Sequence, residues 1–150
     1  MRKLVFVMAG LLAVYAVKAQ KAEDSVKAAV NQFFIGMAMA DSTGIVNSFT
    51  GDGLLQSVSD DGGKTTVKNE KITDFAHLIG GLQKNDADEQ IKFNTIKIDG
   101  ALAMVWAPYN FFFKGKFSHC GVDCFCLVRI NGDWKIQYII DTRRKDGCKY

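Results

Sequence analysis

The feature that most constrains the fold is the dipeptide Asn131-Gly132, which separates two long runs of β-type sequence. The first run covers residues 117–130 and the second covers residues 133–143. Asn-Gly between such runs is the strongest short-range signal for a β-hairpin with a two-residue type I′ turn. A two-residue turn pairs the ends of the runs directly, and this pairing decides which residues share a face of the sheet.

The predicted register gives this hairpin an apolar inner face and a mixed outer face. It sets Phe125 opposite Tyr138 and Asp123 opposite Ile140. Opposed residues lie on the same face, so His119 and Asp123 are predicted to point toward the core. The predicted inner face consists of His119, Asp123, Phe125, Leu127, Trp134, Ile136, Tyr138 and Ile140. The predicted outer face consists of Cys120, Val122, Cys124, Cys126, Val128, Lys135, Gln137, Ile139, Asp141 and Arg143.

A second hairpin, turning at residues 114–116, extends the inner face to the preceding strand. Pro108 could mark a β-bulge in this strand, and a bulge would reverse the faces of every residue before it. The register therefore stays open before Pro108. The simple register adds to the inner face the residues Met104, Trp106, Asn110 and Phe112.

The first 19 residues have the pattern of a secretory signal peptide. A positively charged start precedes an apolar run over residues 4–17, and small residues stand at Val17 and Ala19. This pattern predicts cleavage between Ala19 and Gln20, with export to the periplasm or the outside of the cell. The run is shorter than the ~20 residues that span a bilayer, so a retained membrane anchor is the less favoured alternative, and no stable membrane span is expected after cleavage.

The remaining residues, 20–150, are expected to form a single domain by their length. A chain of this size buries enough surface for a real core without help from metals or disulfides. The formal net charge of the whole chain is +3, and the signal segment carries three of its positive charges, so the rest is near neutral. The composition therefore indicates neither nucleic acid nor an anionic membrane as a partner.

The order of predicted elements indicates an α+β fold. The first helix carries Val26, Val30, Phe33 and Met37 on one apolar stripe. Asp41 is an N-cap candidate for the second helix, and Asn69 for the third. Helices followed by antiparallel strands predict helices packed on one face of a curved sheet. The predicted elements are helix 22–39, a short helix at 41–49, hairpin strands 54–59 and 64–67, helix 69–82, and strands 90–98, 101–113, 117–130 and 133–143.

This arrangement resembles the nuclear-transport-factor-2-like superfamily, which includes ketosteroid isomerases, scytalone dehydratase and polyketide cyclases. The run GKFSHCGVDCFCLVRINGDWKIQYIIDTRRKDGC is most similar to the bacterial branch described as "Putative lumazine-binding". The resemblance covers residues 22–148. It implies a cone-shaped fold with an apolar pocket between the sheet and the first helix, dimers through the outer sheet face, and a pteridine-like ligand. No catalytic motif matches residue by residue, so the reaction stays open.

His119 and Asp123 are the candidate polar groups of this pocket. Four residues along a strand separate them by about 13 Å at ~3.3 Å per residue, so they cannot form a hydrogen-bonded dyad. They could contact two ends of one ligand, one as general base and the other as polarising donor. Alternatively, Asp123 bonds a backbone N–H or Trp106 Nε1, and His119 lies at the sheet rim. The predicted ligand-binding residues are Phe33, Met37, Trp106, Asn110, Phe112, His119, Asp123 and Tyr138, although aromatic residues at such positions more often belong simply to the core.

The four cysteines do not have the spacing of a metal site, so no metal is predicted. Export makes disulfides possible. Cys120 lies opposite Arg143 in the predicted register, so a tail that turns back at residues 146–147 can bring Cys148 onto Cys120. This pair is the predicted disulfide, and Cys124 and Cys126 would remain as small apolar residues of the outer face.

The outer face mixes apolar and polar residues, as a homodimer interface or a half-exposed sheet does. The predicted function is an exported binding domain that holds a small apolar or aromatic molecule and uses no cofactor. The alternative is an enzyme of the isomerase, dehydratase or cyclase kind, with Asp123 or His119 as the proton-transfer group. His77 falls off the apolar stripe of its helix and is expected at the surface.

Overall fold

The computed structural model describes the backbone of residues 2–148 and the side chains of residues 20–60 and 62–148. The predicted signal peptide falls on residues 1–19, whose side chains lie outside this description. Within the described part of the chain, no helix is both long and apolar enough to cross a membrane. The helices are α1 Arg2–Ala38, α2 Ser42–Ser48 and α3 Ile72–Gly80. The strands are β1 Phe49–Asp61, β2 Lys64–Glu70, β3 Ala87–Ile91, β4 Thr95–Asp99, β5 Leu102–Phe113, β6 Lys116–Ile130 and β7 Asp133–Arg143.

The strands form one curved, open sheet in the order β2-β1-β7-β6-β5-β3, and β4 pairs with the same edge of β5 as β3 does. The pairing is antiparallel except between β1 and β7, which run parallel. The helices pack on this curved sheet. The predicted α+β class, with three helices on a strongly curved antiparallel sheet, is confirmed.

The helix starts follow the local capping chemistry. Asp41 is the N-cap of α2, and its carboxylate accepts a hydrogen bond of 2.9 Å from the Gly44 backbone N–H. The prediction that Asn69 caps α3 was wrong. Asn69 belongs to β2, where its side chain accepts a hydrogen bond from Gln56 across the β1–β2 pair, and α3 begins three residues later.

The strand predicted over residues 90–98 is broken into β3 and β4. Residues 92–94 leave the regular ladder, although the Lys92 and Asn94 backbone N–H groups still bond carbonyl groups of β5. The break lies level with Pro108, which accepts from Lys92 through its carbonyl but has no N–H to return. Pro108 stays in register with Val122 on the other side, so it does not mark a bulge between β5 and β6.

A bulge in β7 reverses part of the predicted inner face. Leu127 pairs with Ile136 as predicted, but Cys126 pairs with Tyr138, so Gln137 is an extra residue. The inner placement of Tyr138 and Ile140 was therefore wrong, and both lie on the outer face. The same shift brings to the inner face three residues that were predicted outside it, namely Ile139, Asp141 and Arg143.

A second bulge lies in β6 beside its hairpin with β5. Phe112 pairs with Phe117 and Phe111 pairs with His119, so Ser118 is the extra residue. The bulge reverses the predicted faces of β5. The buried inner residues are Ala103, Val105, Ala107 and Tyr109, whereas the residues wrongly predicted inside are Met104, Trp106, Asn110 and Phe112.

The core is built around Phe33 of α1. Its ring lies 5.1–6.4 Å from those of Phe34, Phe49, Phe75 and Phe125, so one aromatic cluster joins α1, β1, α3 and β6. Trp134 Nε1 donates a 3.0 Å hydrogen bond to Ser25 Oγ and attaches α1 to β7. His77 is exposed on α3.

A disulfide joins Cys120 to Cys148, with the two Cα atoms 5.8 Å apart. Cys120 pairs through its backbone with Arg144, one residue beyond the predicted partner Arg143, because of the bulge in β7. Cys124 and Cys126 are free and half-buried on the outer face. Among the described residues, no group of three or more His, Cys, Asp or Glu side chains could hold a metal ion.

Candidate ligand-binding pocket

A cavity of about 320 Å³ lies between the helices and one end of the sheet. Its volume is at the small end of the range for small-molecule sites, roughly 300–1,000 Å³. The apolar wall consists of Phe33, Met37, Leu55, Phe75, Leu78, Ile79, Leu82, Ala87, Tyr109, Phe111, Phe113 and Ile139. The polar wall consists of Lys68, Glu70, Glu89, His119, Asp123, Asp141 and Arg143.

Asp123 and Asp141 lie side by side in the polar wall. The corrected register sets Asp123 of β6 directly opposite Asp141 of β7, and both are buried. A buried carboxyl group is costly unless it finds hydrogen bonds, a counter-ion or a proton. The two aspartates meet this requirement in different ways.

Asp141 is fully surrounded by donors. Its Oδ1 accepts a 2.5 Å hydrogen bond from Ser57 Oγ, and its Oδ2 lies 2.8 Å from Arg143 Nε and 3.1 Å from the Tyr109 hydroxyl. Hydrogen bonds from a charged donor to a carboxylate are among the stronger ones in proteins. Asp141 therefore serves as an anchor that holds β1, β5 and β7 around the base of the pocket.

Asp123 has no such donors. Its Oδ2 is buried and receives no hydrogen bond from any donor of the described residues. The side chain instead makes a carboxyl–carboxyl hydrogen bond with Glu89 of β3. Such a bond requires one of the two groups to carry a proton. The alternative that Asp123 bonds Trp106 Nε1 is wrong, because Trp106 lies on the outer face.

The electrostatics favour this shared proton. Burial raises the pKa of Asp123 well above its usual range, and the nearby charges of Glu89 and Asp141 raise it further. Burial also raises the pKa of Glu89, to about 7, with Asp141 adding to the effect. Two interacting carboxyls titrate as a pair, so the Asp123–Glu89 pair holds a proton at neutral pH.

Tyr109 is placed by a glycine on the neighbouring strand. Its hydroxyl lies 2.9 Å from the Thr142 carbonyl oxygen as well as near Asp141. A Cβ atom on Gly121, which pairs with Tyr109, would stand 1.7 Å from that carbonyl oxygen and 2.8 Å from the Tyr109 ring. Burial and the surrounding carboxylates raise the pKa of Tyr109, so the phenol stays neutral.

His119 lies nearer the mouth of the pocket. Its Nδ1 is 3.0 Å from Ser118 Oγ, and its ring packs 5.0 Å from Phe111 and 5.8 Å from Tyr109. Burial, together with the positive charge of Arg143, lowers the pKa of His119, which favours the neutral imidazole. His119 and Asp123 thus line one pocket at different depths.

The predicted site residues divide into two groups. Phe33, Met37, His119 and Asp123 lie in the pocket wall. The structure places the other predicted residues on the outer face because of the two bulges, and these are Trp106, Asn110, Phe112 and Tyr138. The Tyr138 hydroxyl donates to Gln56 Oε1 there, and not into the pocket.

Sequence reasoning missed Glu89, Tyr109 and Asp141. Asp141 was placed on the wrong face by one residue of register. Glu89 lies just before the predicted start of its strand, so it was never assigned a face. A signal for Tyr109 existed in Gly121, because a glycine inside a strand often marks close approach of another group.

Comparison with known proteins agrees with the geometry. Residues 21–138 match the model of the family described as "Putative lumazine-binding". No curated protein sequence matches the chain. An NTF2-like protein of unknown function from Shewanella baltica is 18% identical, with a TM-score of 0.66 over 84% of this chain and 96% of that one.

Two further solved structures share the fold. A protein of unknown function with a cystatin-like fold from Nostoc punctiforme has a TM-score of 0.64 at 10% identity, covering 83% of this chain and 92% of that one. A ketosteroid isomerase-like protein from Erwinia carotovora has a TM-score of 0.57 at 14% identity, covering 80% and 94%. The predicted resemblance to the nuclear-transport-factor-2-like superfamily is confirmed.

Proposed function

The chain belongs to the "Putative lumazine-binding" family, and we propose that its pocket binds a small, flat, largely aromatic molecule with hydrogen-bond donors at one end. Family membership supports a ligand-binding domain. The observation that carries the finer proposal is the buried Asp123 Oδ2, an acceptor without a donor at the polar end of an apolar pocket.

The two ends of the pocket suit two ends of such a ligand. The rings of Phe33, Phe75 and Phe111 offer apolar contact for a flat ring system. A ligand N–H or O–H group that bonds Asp123 Oδ2 removes the cost of an unsatisfied buried acceptor, about 1–3 kcal/mol. A pteridine such as lumazine, which combines fused rings with N–H donors, fits this description.

Titration with lumazine and with its N,N-dimethyl derivative, followed by ligand fluorescence, tests the proposal. The two compounds share the ring system, but the derivative lacks the N–H donors. We expect lumazine to bind at least tenfold more tightly, and Asp123→Leu, which has no hydrogen-bond acceptor, to remove most of that preference. Trp106→Phe, on the outer face, is the matched control and should leave both affinities unchanged.

Native mass spectrometry on protein purified from its own host covers ligands other than lumazine. A retained aromatic molecule that is lost in Asp123→Leu supports the proposal. Absence of any retained molecule, together with equal binding of the two lumazines, contradicts it.

A second candidate is an enzyme that moves a proton between carbon atoms of its ligand. The Asp123–Glu89 pair favours it, because a general base works best when its pKa lies near the working pH, and burial raises the pKa of Glu89 to about 7. The ionised carboxylate of the pair would accept the proton, and the neutral Tyr109 phenol lies in the same wall. Hydrogen–deuterium exchange at carbon in candidate ketones, measured against pH, tests this role. Loss of exchange in Glu89→Gln is the expected result.

Export and dimer formation complete the proposal. The pattern of the first 19 residues and the Cys120–Cys148 disulfide support an oxidising compartment outside the cytoplasm. The outer sheet face, where Trp106 is 43% exposed, supports a homodimer interface. N-terminal sequencing of the protein from its host should begin at Gln20. Trp106→Glu should shift the molar mass measured by light scattering from dimer to monomer.

A further inference from the structure

The hairpin between β5 and β6 carries exposed aromatic side chains on both of its faces. Phe113 is 42% exposed and lines the mouth of the pocket, whereas Phe117 is 46% exposed and lies with Phe112 on the outer side, their rings 5.9 Å apart. A flat protein partner would cover one face of a hairpin. Apolar groups on both faces instead fit apolar surroundings that contact the tip from all sides.

Two lysines flank the turn of this hairpin. Lys114 and Gly115 adopt left-handed backbone conformations, with φ of 52° and 73°, and Lys116 follows directly. The Lys114 ammonium lies 5.4 Å from the Phe113 ring. Aromatic rings beside lysines on flexible stems form an arrangement that can bury the rings among lipid chains while the charges stay at the phosphates.

Lys114 and Lys116 form no ion pair with a carboxylate of the described residues, so both are available to an anionic surface. Asp86 precedes the adjacent strand β3 and Asp88 belongs to it; their carboxylates keep their negative charges and accept hydrogen bonds from the Gln83 backbone and the Gln90 side chain. Arg144, exposed at the end of β7, lies farther from the turn, opposite Cys120. The remaining exposed charges at that end of β7 are Arg143, which is paired with Asp141, and Lys145 and Asp146.

We propose that this aromatic tip, made of Phe112, Phe113, Lys114, Lys116 and Phe117, docks on the surface of an anionic lipid bilayer. The near-neutral overall charge gives no sign of such a partner, because the signal is local to one hairpin. Docking would place the mouth of the pocket against the membrane.

The rim of the pocket is continuous with this surface. Leu78 of α3 is exposed and lines the same mouth as Phe113, so apolar groups border the opening from two sides. A ligand with an aromatic body could therefore pass between the bilayer and the pocket without crossing water. The tip thus adds a route of ligand entry to the binding site.

Flotation with lipid vesicles tests the docking, using protein purified from its host. Vesicles of phosphatidylglycerol and phosphatidylethanolamine are compared with vesicles of phosphatidylcholine alone. We expect binding to the anionic vesicles only, falling as salt is raised. The double variant Phe113→Ser/Phe117→Ser should lose at least tenfold in partitioning.

A matched control exists at the opposite end of the β5–β6 ladder. Leu102 and Ile130 are 53% and 45% exposed there, so Leu102→Ser/Ile130→Ser removes similar exposed apolar surface from a different place. This variant should float as the unchanged protein does. A thermal melt checks that each variant is folded. If the phenylalanine variant is not, Lys114→Glu/Lys116→Glu, confined to the exposed turn, should abolish binding to the anionic vesicles.

Three results would overturn the proposal. The unchanged protein does not float with anionic vesicles, or both tip variants float as well as it does, or the control loses as much binding as the tip variants. A tip variant that keeps vesicle binding but changes from dimer to monomer in light scattering would instead assign the aromatic tip to contact with a second copy of the chain.

Discussion

Two aspartates of the same sheet show opposite solutions to the burial of a carboxyl group. Asp123 and Asp141 are paired neighbours on β6 and β7, with exposures of 4% and 5%. Asp141 accepts from Ser57, Tyr109 and Arg143, whereas Asp123 Oδ2 accepts from no donor of the described residues. The two aspartates are equally buried but have different partners. Asp141 therefore serves the scaffold, whereas Asp123 is available to a ligand or a proton.

The difference arises from the strands that bring side chains to each aspartate. Asp141 lies between β1, which brings Ser57, and β6, beyond which Tyr109 reaches over Gly121. Asp123 meets instead the carboxyl group of Glu89, which belongs to β3 at an edge of the sheet. A second carboxyl can satisfy the first only through a proton. The hydrogen bonds of the scaffold therefore satisfy Asp141 on one side of the pocket, whereas Asp123 Oδ2 on the other side stays without a donor.

The largest expected effect is on the scaffold side. Asp141→Ala leaves Ser57, Tyr109 and Arg143 without their common acceptor, and two of these groups are buried. We expect a loss of about 3–5 kcal/mol in the free energy of unfolding, measured by urea denaturation. A loss under about 1 kcal/mol would mean that Asp141 is no anchor and that the contrast with Asp123 is false.

The next effect concerns the glycine that admits Tyr109. Gly121→Ala introduces a Cβ within 1.7 Å of the Thr142 carbonyl oxygen, so the β6–β7 pair or the Tyr109 ring must move. We expect a loss of roughly 3 kcal/mol in the free energy of unfolding. Tyr109→Phe, which removes only the hydroxyl, should cost about 1 kcal/mol and serves as the comparison. Equal stability of Gly121→Ala and the unchanged protein would contradict this packing.

Much of the fold and part of this contrast could be predicted from the sequence. The Asn131-Gly132 turn gave the correct pairing as far as Leu127 with Ile136. Asp123 was correctly placed inside because no bulge separates it from Leu127 on β6. Helix stripes such as that of Phe33 and Met37 depend only on local spacing, so they were also correct.

The errors begin where two registers bury similar apolar surface. Around Gln137 both choices place isoleucine inside, Ile140 in one and Ile139 in the other, so the alternation of residues cannot reveal the bulge. The extra residue Ser118 in β6 likewise shifts the register of β5 without a sign in the alternation of residues. The position of Glu89 depends on the break between β3 and β4 at residues 92–94. That break is set by pairing with β5, which is distant in the sequence. Long-range pairing, and not residue type, therefore decided which carboxyls meet.

The pH dependence of stability tests the Asp123–Glu89 pair. Burial raises the pKa of Glu89 from its ordinary 4.5 to about 7 in the folded protein, so the folded state holds a proton that the unfolded chain releases. This contribution is complete below about pH 4.5 and is lost as the pH rises toward 7. We expect the Glu89 contribution to stability to fall over that window by up to about 1.4 kcal/mol per pH unit.

Glu89→Gln isolates the contribution of the Glu89 carboxyl to the pH dependence of stability. The variant cannot release the proton, so its unfolding free energy should change less between those pH values than that of the unchanged protein. Urea curves measured across the window for both proteins give the difference. If the two pH profiles run parallel, the carboxyl pair holds no shared proton, and the proton-transfer candidate loses its support.

The smallest expected effect is the most informative about function. Asp123→Asn keeps the shape of the side chain but removes a buried ionisable group, and its new N–H₂ can donate to Glu89. We expect stability at pH 7 to stay the same or rise by about 1 kcal/mol, in contrast to the large loss in Asp141→Ala. Equal or higher stability of Asp123→Asn, together with loss of ligand in Asp123→Leu, would show that Asp123 is retained for binding at some cost to the fold. A loss as large as that of Asp141→Ala would instead make both aspartates part of the scaffold and leave the pocket without its selective group.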